Sequence, residues 1–98
     1  MPSVAREGDS STGADGYPPT AAVSGFSPNV FVNGKPIQLL GLTHYAGHAS
    51  PYIHTTGGRV TSSGSGKVFA NGIATVRSGD SIADGDTVGA GSPNVFFG

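Results

Sequence analysis

Three segments of the 98-residue chain carry one signature, and that recurrence limits the folds open to it more than any other feature. They read Gly25-Phe26-Ser27-Pro28-Asn29-Val30-Phe31-Val32-Asn33-Gly34, then Gly64-Ser65-Gly66-Lys67-Val68-Phe69-Ala70-Asn71-Gly72, then Gly91-Ser92-Pro93-Asn94-Val95-Phe96-Phe97-Gly98. Each has a Gly-led start, a Val-Phe pair and a closing Gly. A β-prone pair followed by Asn-Gly predicts a short strand entering a tight turn, because both turn residues tolerate positive φ. A second pattern interleaves with the first. Val4-Ala5-Arg6-Glu7-Gly8-Asp9 matches Thr75-Val76-Arg77-Ser78-Gly79-Asp80, and Ile37-Gln38-Leu39-Leu40-Gly41-Leu42 keeps the Gly while losing the Arg and Asp. Asn33 and Gly41 stand as far apart as Asn71 and Gly79, so the register holds. The repeating unit is strand, Asn-Gly turn, second strand, Gly-Asp turn and a loop of variable length, with the outer units incomplete.

No window shows apolar residues at helical spacing without an intervening Gly or Pro. The expectation is therefore one all-β domain over residues 1–98, a small conical pseudo-threefold repeat with short hairpins, long loops and no significant helix. Val30, Phe31, Val68, Phe69, Val95 and Phe96 are the expected sources of a shared core. Strand alternation lets only one member of each pair face inward. With 17 Gly, 7 Pro and 36% hydrophobic residues, that core is thin, and a short chain of this kind calls for a staple. There is no Cys, so the staple is not a disulfide. A net charge of −1 without a basic run argues against nucleic acid as a partner. No apolar run approaches the length needed to span a bilayer, and the opening residues lack the apolar stretch of a signal peptide. Synthesis in the cytoplasm is expected, with any export driven by a machine.

The interleaved patterns resemble the PAAR-repeat family, whose units carry a Pro-Ala-Ala-Arg-x-Gly-Asp stretch after an Asn-Gly turn and a Gly-Ser-x-x-Val-Phe strand before it. The matching stretches are Ser3 to Asp9 and Ala74 to Asp80, while Pro36 to Leu42 keeps only the Pro and Gly. The resemblance covers essentially the whole chain. It implies a conical tip protein that caps and sharpens the trimeric β-helical spike of a contractile injection apparatus, in a phage tail baseplate or a type VI secretion system. One monomer would sit on each trimer, act in the virion or be exported with the spike, and meet the target envelope transiently. Relatives bind a metal near the apex through His and Cys. In this chain the position where many relatives place Cys falls at Asp84.

The histidines agree with that implication. His44, His48 and His54 all lie in the middle loop, which is the longest, and neutral imidazole is a common ligand for zinc and iron. They are the expected ligands of one structural ion, zinc first and iron second, with Asp84, Asp86, Asp15, a phenol or a water as the fourth ligand. Three histidines with an open position also describe a catalytic zinc. However, there is no His-Glu-x-x-His helix, and a turn-rich chain of this size has little room for a substrate cleft, so no enzymatic activity is expected. The other expectations are an adaptor that docks a toxin or cargo onto a spike, and an isolated metal-binding β domain. Tyr17-Pro18-Pro19 reads as a rigid extended stretch, and Thr61 to Gly66 as the lead-in to the second Val-Phe strand.

Overall fold

A computed structural model describes residues 2–13, 17–49 and 53–98. The chain is all-β. Its strands are β1 (Ala22–Ser24), β2 (Phe26–Val32), β3 (Lys35–Gln38), β4 (His44–Tyr45), β5 (His48–Ala49), β6 (Ile53–His54), β7 (Phe69–Ala70) and β8 (Ile73–Ala74). Among the described residues the only helical piece is a single 3-10 turn, Thr56–Gly58. The molecule is elongated, with one axis of 36 Å and two of 24 and 22 Å.

The three expected units close on one another through backbone hydrogen bonds. Ala5, Gln38 and Val76 hold equivalent places in the repeat. The Ala5 N–H donates to the Val76 carbonyl (3.0 Å), Val76 to Gln38 (3.3 Å) and Gln38 back to Ala5 (3.0 Å). All three residues are fully buried. A second cycle runs beside the first, with Ser78 N–H to Ser3, Glu7 to Pro36 and Leu40 to Ala74, at 2.8, 2.9 and 2.9 Å. The antiparallel pairs Val4–Arg77, Arg6–Ile37 and Leu39–Thr75 belong to the same pattern. Each of the three strands thus pairs with one neighbour through its first half and with the other through its second half. Such a closed ring leaves no free edge between units.

The hairpins follow the Asn-Gly signals. β2 pairs with β3 and β7 with β8. Asn33-Gly34 and Asn71-Gly72 have φ of 55° and 77°, and 54° and 77°, the paired positive values that a type I′ turn demands. The two incomplete outer units are halves of a third. Ser3 pairs with Phe96, as Pro36 does with Phe31 and Ala74 with Phe69. The entry to each Val-Phe strand is held in the same way. Ser27, Ser65 and Ser92 each accept two backbone N–H groups through Oγ, the nearer from Val30, Val68 and Val95 at 3.0, 2.9 and 2.9 Å. The Gly-Asp turns are fastened by Arg–Asp forks, Arg6 with Asp9 and Arg77 with Asp80. In the middle unit, where Leu39 and Leu42 replace those residues, Thr43 Oγ1 accepts the Leu39 N–H at 2.9 Å.

Two apolar clusters lie along this frame. One gathers Val4, Val32, Ile37, Leu39 and Ala70 with the half-buried Val30, Ile73, Val95 and Phe97. The other gathers Ala5, Ala22, Tyr45, Val76, Ile82 and Val88, with Phe26 against it. The first belongs to the hairpins and the second largely to the loops. Within each Val-Phe pair the valine turns inward, while Phe31, Phe69 and Phe96 stay 56%, 57% and 45% exposed. The core is therefore supplied mainly by the second strands of the units. Of the Val-Phe pairs only Val30 and Val95 pack against a core cluster, while Val68 is half-buried outside both.

At Gly91 a Cβ would stand 2.3 Å from the Val4 carbonyl oxygen, and at Gly64 it would stand 2.7 Å from that of Thr75, the equivalent contact in the next unit. Gly91→Ala should lower stability by about 1–3 kcal/mol in urea unfolding. Gly66→Ala, where nothing lies within 4 Å of the added atom, should stay within about 0.5 kcal/mol of the parent. Equal costs at the two positions would contradict the close approach.

Candidate metal centre

The middle and third loops build one polar cluster beside the loop-side core. β5 and β6 pair antiparallel with His48 opposite His54, so both rings emerge on one face of a two-stranded ribbon. Tyr17 stacks against both rings, with centroid separations of 4.5 Å to His48 and 4.2 Å to His54. The third loop folds back between Ser81 and Thr87, with Asp84-Gly85 at its tip and Gly85 at φ 97°. Asp-Gly is a tight-turn signal, and here it delivers the Asp84 carboxylate to the histidines.

His48 Nε2, His54 Nδ1 and Asp84 Oδ2 form a small triangle with sides of 3.0, 3.1 and 3.3 Å. Tetrahedral coordination at bond lengths of about 2.0–2.1 Å separates ligand atoms by roughly 3.3 Å, so this group can hold a metal ion. The state of His48 also fits. Its Nδ1 lies 3.0 Å from the Pro18 carbonyl, which can only accept, so Nδ1 carries the proton and Nε2 keeps a lone pair directed into the triangle. A ligating imidazole is ordinarily oriented by such a bond on its far nitrogen.

His44 is not part of the group. It precedes Tyr45 in β4, and Tyr45 is fully buried in the loop-side core, so alternation turns His44 the other way. Its Nδ1 lies 2.9 Å from the Leu42 carbonyl. The ligand set expected from His44, His48 and His54 is thus brought together only in its last two members, with Asp84 as the third. Asp86 lies nearby but is directed to other partners, and Asp15 lies outside the described residues.

Arg59, which the sequence reading passed over, sits at the centre of the cluster. It is fully buried. Its Nε donates to the Ala46 carbonyl at 3.0 Å. Its Nη1 donates to Asp84 Oδ2 and to His48 Nε2, the latter at 2.7 Å. Its Nη2 reaches Asp86 Oδ2 at 3.1 Å, Thr20 Oγ1 at 3.0 Å and Ser11 Oγ at 3.3 Å. One guanidinium therefore joins all three loops. No general signal marks such an arginine in sequence: it follows Gly57-Gly58 in a loop, and its partners are scattered from Ser11 to Asp86.

These contacts set the carboxylate chemistry. Burial pushes the Asp84 carboxyl up, but the Asp86 backbone N–H and the Arg59 guanidinium outweigh it and hold the group below its usual value. Burial acts likewise on Asp86, and is outweighed by the Ser11 hydroxyl, the Thr87 N–H, Arg59 and Thr12. No protein-family model matches the chain, and no curated protein matches it significantly.

Two outcomes follow from this cluster. A carboxylate whose pKa is lowered on folding stabilises the native state above its unfolded value of 3.8 and loses that contribution as pH falls through the folded value. Unfolding free energy should therefore drop below about pH 4, and the drop should be shallower in Asp86→Asn. Arg59→Ala should cost about 3–5 kcal/mol at neutral pH, because it strands two buried carboxylates. A loss below about 1 kcal/mol in urea unfolding would remove Arg59 from the centre of the loop structure.

Proposed function

We propose that this chain caps the end of a trimeric β-helical spike in a contractile injection apparatus, one monomer to three spike chains, and forms the point that enters the target envelope. The observation that carries the reading is the set of three exposed phenylalanines, Phe31, Phe69 and Phe96, at equivalent positions of three units arranged around one ring. The end of a trimer offers three identical sites. A single chain with three like faces can engage all of them, which an asymmetric monomer cannot do. The sequence resemblance to PAAR-repeat proteins points the same way. The role is mechanical, and no catalytic step is assigned.

In this reading the loop half carries one structural ion bound by His48, His54 and Asp84. Zinc suits two imidazoles and a carboxylate without redox chemistry, and iron is the second choice. Bound there, the ion would supply a cross-link between the middle and third loops in a region with a thin core.

The stoichiometry is tested by native mass spectrometry of the chain mixed with a candidate trimeric spike. A 1:3 complex is expected, weakened at least tenfold by replacing Phe31, Phe69 and Phe96 together with Ser. A 3:3 complex would sink the reading. The ion is tested separately on protein purified without an affinity tag. Elemental analysis should find one zinc per chain, and a chelator should lower the melting temperature. His48→Ala and His54→Ala should lose the metal, whereas His44→Ala should retain it.

A further inference from the structure

We infer that Arg59 is a resident cation that competes with a divalent metal ion for His48 and Asp84, so that the ion enters by displacing one guanidinium nitrogen while the rest of the side chain stays bound. The inference rests on the metal reading above and adds the residue that sets the affinity of that site. Arg59 Nη1 donates to two of the three atoms a metal would bind: it is 2.7 Å from His48 Nε2 and hydrogen-bonded to Asp84 Oδ2. The His48 nitrogen has one lone pair, since its other ring nitrogen donates to the Pro18 carbonyl. That lone pair can meet an N–H or a metal ion, not both.

The remainder of the guanidinium has its own anchors. Nε is held by the Ala46 carbonyl and Nη2 by Asp86, Thr20 and Ser11. Losing Nη1's two bonds therefore leaves the side chain fixed on the first, middle and third loops. Charge points the same way. One guanidinium faces two carboxylates, leaving one negative charge in a buried setting, which a divalent ion can take up. The guanidinium opposes that ion across a few ångströms, a repulsion felt strongly away from bulk water. His54, whose Nδ1 is 3.1 Å from Asp84 Oδ2 and 3.0 Å from His48 Nε2, has no bond to Arg59 among the described contacts, so the ion need not displace the guanidinium from it.

The test is calorimetric titration of zinc chloride into the metal-stripped full chain, as wild type, Arg59→Gln, Arg59→Lys and His54→Ala, with folding followed by circular dichroism. Arg59→Gln keeps an amide donor and removes the charge. It should bind zinc at least about tenfold more tightly than wild type, with Arg59→Lys close to wild type and His54→Ala binding none. Stoichiometric zinc uptake by both wild type and Arg59→Gln, at least about tenfold tighter in Arg59→Gln, supports the inference. A folded Arg59→Gln that binds no tighter than wild type overturns it and leaves the metal reading intact. Absence of zinc binding in every folded variant ends the metal reading, and the inference with it. Should Arg59→Gln not fold, the wild type decides. Zinc saturation should shift the arginine side-chain nitrogen resonance of Arg59 together with the ring nitrogens of His48, and an unmoved Arg59 signal beside shifted His48 signals overturns the inference.

Discussion

Three backbone hydrogen bonds, passed from Ala5 to Val76 to Gln38 and back, make one object out of three short units. No unit has enough apolar surface to be stable alone, and a lone two-stranded hairpin is marginal in water. The ring solves this by making each strand the edge partner of both others. It also explains why the middle unit can carry the fully buried Gln38 at a ring position. Ring positions are chosen for backbone exchange, and the amide is satisfied within the structure: its Nε2 donates to the Arg6 carbonyl at 2.9 Å and its Oε1 accepts from the Tyr45 hydroxyl at 2.8 Å. Burial raises the phenol of Tyr45 well above its usual range, against the opposing effect of the Gln38 hydrogen bond.

Beyond the ring the two halves are held differently. The hairpin half relies on aliphatic packing and on side-chain bridges between units, such as Asn33 Nδ2 to Asn94 Oδ1 and Asn71 Nδ2 to Asn29 Oδ1, both 2.9 Å. The loop half has longer chain to restrain and fewer large apolar residues to do it. A buried guanidinium takes up that task, and it succeeds because the donors of its three nitrogens all find acceptors. Among the described residues no buried side-chain polar atom is left without a partner. A metal ion in the same cluster would add its own cross-link in place of the two bonds of Arg59 Nη1, which is a different situation from a loop that only a metal can order.

Several departures from threefold likeness fall in the middle unit. It exchanges the Arg–Asp fork for Leu39, Leu42 and Thr43, and its loop is long enough to make the β5–β6 ribbon that carries both site histidines. Its buried Leu39 joins the hairpin-side core, while Leu42 remains exposed. Symmetry is thus kept where strands meet and given up where the loops specialise.

Much of this was legible in the residues themselves. The recurrence of Val-Phe with Asn-Gly determined the hairpins and the number of units, because positive φ at both turn positions is tolerated by few residue types. The spacing from Asn-Gly to the next Gly determined the register, whereas interest in Asp84 came only from the resemblance to PAAR-repeat proteins. The concentration of histidine in the longest loop located the candidate site. What the sequence did not decide is which side chains share a face across long separations. Whether His44 joins His48 and His54 depends on Tyr45 claiming the inward side of β4, and that follows from core packing. That Ser3 completes a hairpin with Phe96 depends on ring closure. The place of Arg59 depends on Ser11, Thr20, Ala46, His48, Asp84 and Asp86 arriving together, and only the folded chain brings loops so distant in sequence within reach of one guanidinium.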